Sequence, residues 1–421
     1  MSTTICGARV FDGERSLGVA TVVVDGDVIT AVEPGAREPA AGEVDARGAT
    51  LLPGLVDGHV HLRGAGNLGQ DLRHGVTTVL DMFSAPPQFT AMLRRRAASR
   101  DDEADLRSSG LMAGAVDGWP AVMLPPDPGG WRMPGLSGPD DAERFVADRV
   151  REGSDYLKVF VENSADVTRS TLSPETVTAV CAAARSHGLT TVAHAPTRWA
   201  FATARDAGVD VLTHLPLDGP LDGPLGEGLA GLTVVPTMTM MAALTDAASQ
   251  QALLGDPRLT ARLPTDVVDG LRAGDRGGLP TSSASGAAYE HAADNLRRLL
   301  AAGATVVAGT DANDVPGRSA AVMHGVSLHL ELELLAGCGM SPTDVLAAVT
   351  SRAADAFALH DRGRIAAGRR ADLLLVDGDP TADVTDTRSL RTVWRAGVAH
   401  DLSHPAHAVR PDEVGPVRAG H

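Results

Sequence analysis

The feature that most constrains the fold of this chain is a series of short apolar runs that alternate with segments of helical period. Eight such runs occur, at 55–62, 76–83, 106–114, 155–162, 189–196, 209–217, 232–241 and 305–312. An apolar run followed by a helical segment is typical of a parallel βα unit. Eight units predict an α/β fold whose strands close into a (β/α)8 TIM-like barrel of about 250 residues. An open doubly wound sheet is the alternative, which eight sequential units disfavour because it leaves exposed edges.

The two ends of the 421-residue chain have a different residue pattern from the middle. Short β-branched runs broken by Asp-Gly and Gly-Asp, such as ATVVVDGDVITAV at 20–32, predict strands joined by tight hairpins. The same pattern occurs again in the C-terminal segment, in ADLLLVDGD and RTVWRAGV. We therefore expect both termini to pair into one small β-sandwich-like domain. The predicted units are 1–52 and 361–421 for the two parts of that domain and 53–360 for the barrel.

Charge and cysteine content narrow the range of partners and locations. The chain has 53 acidic and 37 basic residues and a formal net charge of −16, so nucleic acids and anionic membranes have no electrostatic support as partners. The sequence shows neither a leader pattern nor an apolar run of the roughly 18 residues that a membrane span needs. Three scattered cysteines indicate neither a disulfide framework nor a thiolate zinc site. We expect a cytoplasmic protein that acts on a small molecule, with a homo-oligomer as one possible state.

Two histidines two residues apart, His59 and His61, lie in the first predicted barrel strand. Strand side chains alternate between faces, so both imidazoles project to the same side, which in a barrel strand is the interior. Two imidazoles in an apolar core would each need a hydrogen-bond partner, whereas a divalent metal takes both as neutral nitrogen ligands. The pair therefore predicts metal ligation, and a hydrogen-bonded core histidine is the alternative for each.

Four further side chains that ionise or bind metals fall near the ends of other predicted strands. They are Lys158 in the fourth strand, His194 in the fifth, His214 in the sixth and Asp311 in the eighth. Active sites of (β/α)8 barrels are assembled at the carboxyl ends of several strands. The arrival of six such residues at this rim predicts a metal centre, while a buried Lys158–Asp311 pair and satisfied core histidines are the structural alternatives.

These residues fall in motifs that resemble the amidohydrolase superfamily of metal-dependent hydrolases. The motifs are PGLVDGHVHL (53–62), LKVF (157–160), VAHA (192–195), LTHL (212–215) and AGTDA (308–312). Near the C-terminus, GRIAAGRRADLLLVDGDP resembles the returning β segment of that superfamily. The resemblance extends over essentially the whole chain, and its nearest branch is the imidazolonepropionase-like and Xaa-Pro-dipeptidase-like group.

The resemblance implies a binuclear metal centre. The ligands it implies are His59, His61 and Asp311 on one ion and His194 and His214 on the other. Lys158 would bridge the ions as a carbamate, because a desolvated neutral amine can add carbon dioxide. The implied reaction is attack of metal-bound hydroxide on an amide, peptide-like, N-acyl amino acid, lactam or urea carbon, with Asp311 passing a proton to the leaving amine. Zinc is the expected ion, and manganese, iron or cobalt would fit the same ligands.

Other activities stay open at this point. Mononuclear deaminase relatives commonly carry an acid three residues after the fifth-strand histidine, and Thr197 stands there instead; this disfavours ring deamination but not a single-metal aminohydrolase with unmodified Lys158. GAGNLG at 64–69, followed by Asp81, matches a dinucleotide-binding fingerprint of an oxidoreductase. The helix between them is too short for a pyrophosphate-binding unit. A binding protein on an inactive scaffold is a third alternative, which the intact ligand set disfavours.

Substrate contacts are predicted from position alone. Arg63, two residues after the histidine pair, and Arg198 would pair with a substrate carboxylate, unless they are surface arginines. Trp131, in the Pro- and Gly-rich loop 115–139, would form an apolar wall, unless it only anchors that loop. His324 would reach the site from the start of a helix, and a structural role is the alternative. The role of a charge-rich insertion at 247–285 is not predicted.

Overall fold

Strands from both ends of the chain meet in one sheet. In the computed structural model, which describes residues 2–122, 124, 130–162, 170–245, 252–263, 265, 268–269, 272, 287–313, 322–400 and 402, this sheet has eight strands. They are β1 (Ser2–Phe11), β2 (Ser16–Asp25), β3 (Val28–Pro34), β4 (Val44–Asp45) and β5 (Ala49–Pro53), with β14 (Leu373–Asp377), β15 (Leu390–Arg395) and β16 (Val398–His400). β14 pairs with β5 in antiparallel register, which confirms that the two ends pair.

The predicted hairpins are present at both ends of this sheet. Asp25 pairs with Val28, and Gly26 between them has a φ of 61°. At the other end Arg395 pairs with Val398, and Ala396 and Gly397 in the turn have φ of 50° and 78°. Two-residue turns with positive φ match the twist of antiparallel strands, which is why Gly is favoured at these positions.

Eight shorter strands occupy the middle of the chain. They are β6 (Leu55–Val60), β7 (Val76–Asp81), β8 (Asp105–Ser108), β9 (Leu157–Phe160), β10 (Thr191–His194), β11 (Val211–Thr213), β12 (Thr233–Val235) and β13 (Thr305–Val306). Each overlaps one of the eight predicted runs, so these predictions are confirmed. All pairings are parallel, in a sheet of order β6-β7-β8 and a sheet of order β13-β12-β11-β10-β9.

Backbone bridges link the edges of the two parallel sheets. Ala113, beyond β8, bridges Val159 of β9, and Val60 of β6 bridges Ala312 beyond β13. At the first of these seams the Ala113 amide donates to the Lys158 carbonyl at 2.8 Å, and at the second the His61 amide donates to the Ala312 carbonyl at 2.7 Å. Residues predicted to bind metal therefore lie at both seams.

Helices follow most of these strands. Among the described residues they are α1 (Gly66–Arg73), α2 (Pro87–Ser99), α3 (Trp119–Val122), α4 (Ala142–Arg151), α5 (Pro174–Ser186), α6 (Arg198–Asp206), α7 (Met238–Thr245), α8 (Pro257–Thr260), α9 (Tyr289–Ala301), α10 (Val326–Gly337), α11 (Pro342–Ala348) and α12 (Ser351–Ala356). Ser173 and Thr197 cap α5 and α6, their hydroxyls accepting from the Thr176 and Ala200 amides. In the described part of the chain, no helix has both the length and the apolar character to cross a membrane.

The loop 115–139 and the insertion 247–285 are described only in part. Within the loop, α3 and a bridge between Ala115 and Leu136 add order that the sequence did not predict. Within the insertion, α8 packs through Leu259 into a small buried cluster with Val326. Residues 123, 125–129 and most of 264–286 lie outside the described residues.

An apolar layer supports the polar ends of the parallel strands. Tyr156, Val192 and Val211 belong to one buried cluster that also contains side chains of α12. Side chains two residues apart on a strand share a face. The next layer along these three strands, toward their carboxyl ends, is therefore formed by Lys158, His194 and Thr213.

Candidate metal centre

The predicted histidine pair converges on the predicted aspartate. His59 is fully buried, and its Nε2 lies 3.4 Å from Asp311 Oδ1. His61 Nε2 lies 3.0 Å from the same oxygen, and its side chain is 16% exposed. The two rings are 5.3 Å apart, as the alternation of strand side chains predicts. The pair and the aspartate thus form one contact cluster, with His61 on its open side.

Lys158 and the two other histidines extend this cluster. Lys158 Nζ donates to Thr213 Oγ1 at 2.8 Å and lies 3.5 Å from His59 Nε2. The His214 ring is 5.0 Å from the His59 ring and 4.6 Å from the His194 ring. All six residues predicted to bind metal therefore lie together, although His61, His214 and Asp311 stand beyond the ends of β6, β11 and β13 rather than within them.

Two of these residues occupy a strained backbone region. His214 and Asp311 have φ of 71° and 62°, and Thr237, which follows β12, has φ of 49°. Left-handed φ is uncommon for residues with a Cβ and costs about 1–3 kcal/mol each, so it persists only where the surroundings fix it. Strain of this kind clusters at functional sites.

Asp57 fixes the segment that carries Asp311. Its Oδ1 accepts from the His59 amide at 3.2 Å and from the Thr310 amide at 3.0 Å. Its Oδ2 accepts from the Thr310 hydroxyl at 2.7 Å, and that hydroxyl accepts from the Ala312 amide. Burial raises the pKa of Asp57 to about 7, against the hydrogen bonds from Thr310 and His59. Asp57 therefore ties the histidine pair of β6 to Asp311 through the backbone.

The electrostatics of the cluster favour neutral nitrogens and an ionised Asp311. Burial, reinforced by the positive charge of neighbouring side chains, holds the pKa of His59 and His214 well below the usual range. Burial lowers the pKa of Lys158 to about 7, despite the charge of Asp311. Burial alone would raise the pKa of Asp311, but the hydrogen bond from His61 and the nearby positive groups outweigh it, and the pKa falls to about 2.

The donor set fits divalent ions. Ligand atoms of His59, His214 and Asp311 all lie within 4.8 Å of one another. Within the described residues, the buried Nδ1 atoms of His59 and His61 have no hydrogen-bond partner, while their Nε2 atoms face Asp311 Oδ1. Buried polar atoms are normally satisfied, and neutral imidazoles with a carboxylate are ligands for zinc and related metals. A cation bound between the Nε2 atoms and Asp311 Oδ1 would use both imidazoles as neutral ligands and compensate the charge of the buried carboxylate.

One acidic residue of the site was missed by the sequence interpretation. Glu162 is buried, and its Oε2 lies 3.5 Å from His194 Nε2. It follows Lys158 and Phe160 at a spacing of two, the strand alternation that places all three on one face. That spacing was the available signal. Thr197, where deaminase relatives carry an acid, instead caps α6, so the carboxylate beside His194 comes from a different strand.

An apolar wall adjoins the cluster. The Phe160 ring stacks on the His194 ring at 4.3 Å with an interplanar angle of 10°. Phe160 and Trp131 both pack against a small buried cluster that contains Phe83, Met112 and other residues beyond β7 and β8. Trp119, in the same loop, is 44% exposed. Part of the loop 115–139 thus packs next to the predicted metal ligands.

The two arginines predicted to contact substrate differ in their surroundings. Arg63 is half-buried, and burial lowers the pKa of its guanidinium although the charges of Asp81 and Asp311 oppose this. Among the described residues, its guanidinium has no hydrogen-bond or ion-pair partner. Arg198 lies at the start of α6, partly exposed, and pairs with Asp222 at 3.4 Å.

His324 packs against the backbone of the histidine pair. Its ring is fully buried, with Nδ1 at 3.1 Å from Asp71 Oδ2 and Nε2 at 3.3 Å from the His61 carbonyl. This is the place of a residue that positions His61, which differs from the direct substrate contact expected from the sequence.

The glycine-rich segment after β6 is used within the fold. Asn67 Oδ1 accepts from the Arg63 and Gly64 amides. Asp81, the acid of the dinucleotide-type pattern, accepts from the Leu62 amide and from the Ser108 hydroxyl at 2.5 Å. These contacts join the ends of β6, β7 and β8.

Parallel βα units with imidazoles, an amine and a carboxylate at the strand ends define a class, the metal-dependent barrel hydrolases. The sequence matches the amidohydrolase family over residues 50–399, and the chain belongs to that family. It is accordingly a metal-dependent hydrolase of carbon–nitrogen bonds in small molecules, as the resemblance implied.

Individual proteins support this membership. An imidazolonepropionase of Deinococcus radiodurans is 27% identical over 422 residues, covering 90% of this chain and 91% of that protein. A crystal structure of a Xaa-Pro dipeptidase with bound methionine superposes with a TM-score of 0.74 at 20% identity, covering 95% of this chain and 100% of the other. A molinate hydrolase gives a TM-score of 0.71 at 22% identity, covering 95% of both chains. The two structures establish the similarity of fold.

Proposed function

We propose that the protein hydrolyses an amide-type bond at a two-metal centre. His59, His61 and Asp311 would hold one ion and His194 and His214 the other, and Lys158, as a carbamate, would be a ligand that both ions share. The observation that carries the metal-binding part of this proposal is the convergence of ligand atoms of His59, His214 and Asp311 within 4.8 Å, and the rings of His61 and His194 adjoin this group. The depressed pKa of Lys158, about 7, supports carbamate formation because only a neutral amine adds carbon dioxide.

When bound, two divalent ions would acidify a water and polarise the scissile carbonyl. The residues of the chain supply the remaining functions. Asp311 is ionised, and its Oδ1 faces both imidazoles of the pair, so it is placed to take a proton and return it to the leaving amine. Phe160 and Trp131 keep one side of the site apolar. Zinc is the proposed ion, with manganese, iron or cobalt as metals that fit the same donors.

The proposed substrate is a peptide-like compound or N-acyl amino acid with an apolar group beside the scissile bond. The stacking of Phe160 on His194 supports the apolar group, because a substrate at the ligands would contact this ring. Arg63, whose guanidinium forms no hydrogen bond or ion pair among the described residues, supports a carboxylate, since a half-buried guanidinium that is not paired with an acid favours an anionic ligand. Lactams and ureas are the other members of the proposed range.

We further propose that the eight parallel strands close into one barrel (53–360), flanked by a β-sandwich-like domain from 1–52 and 361–421. The bridges Ala113–Val159 and Val60–Ala312 support closure. A cytoplasmic location is supported by three buried cysteines, all free thiols, a state that a reducing compartment maintains. A homo-oligomer stays a prediction for light scattering to test.

Metal analysis with a screen of dipeptides, N-acyl amino acids, lactams and ureas tests the proposal. His59→Ala and His61→Ala should each lose at least one ion and most of the turnover. His360→Ala, at an exposed histidine, is the matched control and should keep both. Retention of both ions and normal turnover in His59→Ala would refute the ligand assignment.

A second candidate is a single-metal aminohydrolase with unmodified Lys158. Glu162 favours it, because its carboxylate lies 3.5 Å from His194 Nε2 and could carry the proton for which Thr197 offers no acid. The metal content separates the two candidates, since one ion per chain in the active enzyme supports this candidate and two ions support the first.

A further inference from the structure

A buried carboxylate on α10 holds the segment that contacts His214. Glu331 is fully buried. Its Oε1 accepts from the Met238 amide at 3.1 Å, and its Oε2 accepts from the Thr239 amide at 2.7 Å and the Thr239 hydroxyl at 2.8 Å. Met238 and Thr239 open α7, whose first amides have no partner within the helix. Glu331 therefore caps α7 from another element of the fold.

The residue just before α7 contacts the predicted metal ligand. Thr237 Oγ1 lies 2.8 Å from His214 Nδ1. Both residues have left-handed backbones, and Thr237 is β-branched, so neither conformation is intrinsically favoured. The Glu331 cap fixes Met238 and Thr239, and the Thr237 carbonyl accepts the Met241 amide as the first turn of α7. The cap thus restrains Thr237 from its C-terminal side.

This contact decides which nitrogen of His214 is left for a metal. In a metal-bound imidazole the second nitrogen carries the proton, and its hydrogen-bond partner sets the tautomer and the ring orientation. Because Nδ1 faces the Thr237 hydroxyl, Nε2 is the nitrogen directed to the cluster. Displacement of Thr237 would release both the tautomer and the rotation of the ring.

The segments that carry His59 and Asp311 have their own support. Asp57 accepts from the His59 and Thr310 amides, and among the described residues it forms no hydrogen bond with Glu331, Thr237 or His214. The two carboxylates therefore support different ligands. A change at Glu331 should reach His214 without moving His59 or Asp311.

We propose that Glu331 is a positioning residue for the ion held by His194 and His214, acting through α7 and Thr237. The inference rests on the proposed two-metal function, but it makes a separate statement, that one ion depends on this link and the other does not. Supporting residues behind metal ligands typically contribute about 10- to 100-fold in metal affinity.

The test measures both metal affinities by chelator competition, using zinc and then cobalt, whose visible absorption reports ligand geometry. Glu331→Ala should weaken the binding of one ion by about 10- to 100-fold and leave the affinity for the other within about twofold of wild type. The absorption spectrum of the bound cobalt should change. Glu333→Ala is the matched control. It lies two residues further along α10, pairs with Arg388, and should leave both affinities unchanged.

Thr237→Val keeps the shape of Thr237 and removes the hydroxyl, so it decides the question if Glu331→Ala does not fold. It should show the same selective loss of one ion. Wild-type affinity for both ions in Thr237→Val, or an equal weakening of both, would overturn the inference. The metal content of the wild-type protein is measured before any variant is made. Fewer than two ions per chain would overturn the two-metal proposal itself.

Discussion

Lys158 Nζ lies 3.5 Å from His59 Nε2 and donates to Thr213 Oγ1 at 2.8 Å. Thr213 in turn donates to the Ala193 carbonyl at 2.8 Å, so its hydroxyl is oriented to accept from the amine. A lysine in this place has an imidazole on one side and a fixed acceptor on the other. Its surroundings orient the amine without pairing it closely to a carboxylate, which is what a lysine that must lose its proton needs.

The first prediction concerns this amine. Lys158→Ala should lower kcat/KM by at least about 100-fold, the upper end of the effect of residues that only support ligands. Short carboxylic acids such as propionate should restore part of the activity, because their oxygens can replace those of a carbamate. Steady-state kinetics with added acid is the measurement. Wild-type-like turnover in Lys158→Met would contradict the bridging role.

The second prediction separates the two arginines. Arg63→Gln should raise KM for substrates with a carboxylate by about 10- to 100-fold, because a charge-assisted hydrogen bond contributes about 1.5–3 kcal/mol. The corresponding amides should be much less affected. Arg198→Gln should leave both KM values near wild type, because Arg198 already pairs with Asp222. The reverse pattern would assign the carboxylate to Arg198.

How far the sequence predicts this site depends on whether a residue lies on one of the eight parallel strands or shortly after its carboxyl end. His59, Lys158 and His194 were predicted because strand alternation and the shared carboxyl rim place them together. Glu162 shares that alternation and was missed because a carboxylate at the end of a strand is common. The eight strands were predicted for the same reason, since apolar runs mark buried parallel strands.

The supporting residues were not predictable in this way. Glu331 meets Thr239 from a helix far along the chain, and neither position has a periodicity that points to the other. The contact of Thr237 with His214 depends on left-handed backbone at both residues, which neither residue type favours. His324 was expected at the substrate, but its distance from Asp71 depends on how α1 packs, which no local pattern specifies.

The third prediction tests the apolar wall. Trp131→Ala should lower kcat/KM about tenfold or more for substrates with a bulky apolar acyl group, because a large buried contact is lost. Substrates with an acetyl group should change little. Trp119→Ala, in the same loop but 44% exposed, is the control and should not discriminate. Equal loss for large and small acyl groups in Trp131→Ala would point to general loss of loop structure.

The fourth prediction concerns acid stability of the metal-free protein. Burial lowers the pKa of His329 to about 3, and its ring contacts the Thr387 hydroxyl and the His74 carbonyl. Between pH 6.5 and 3 the unfolded chain therefore binds a proton that the folded state does not. The contribution of His329 to stability is complete above pH 6.5 and is lost as the pH falls toward 3.

Raised pKa values of carboxyls act in the opposite direction. Burial raises the pKa of Glu331 to about 8 and that of Asp57 to about 7, so their contribution to stability is complete below about pH 4 and is lost as the pH rises through 7 and 8.

Urea unfolding in chelator from pH 6.5 to 4 tests the contribution of His329. The free energy of unfolding should depend less steeply on pH for His329→Gln than for wild type. The slopes should differ by up to about 1 kcal/mol per pH unit. His360→Gln, at an exposed position, should keep the wild-type slope. Identical slopes for wild type and His329→Gln would mean that His329 titrates normally in the folded protein.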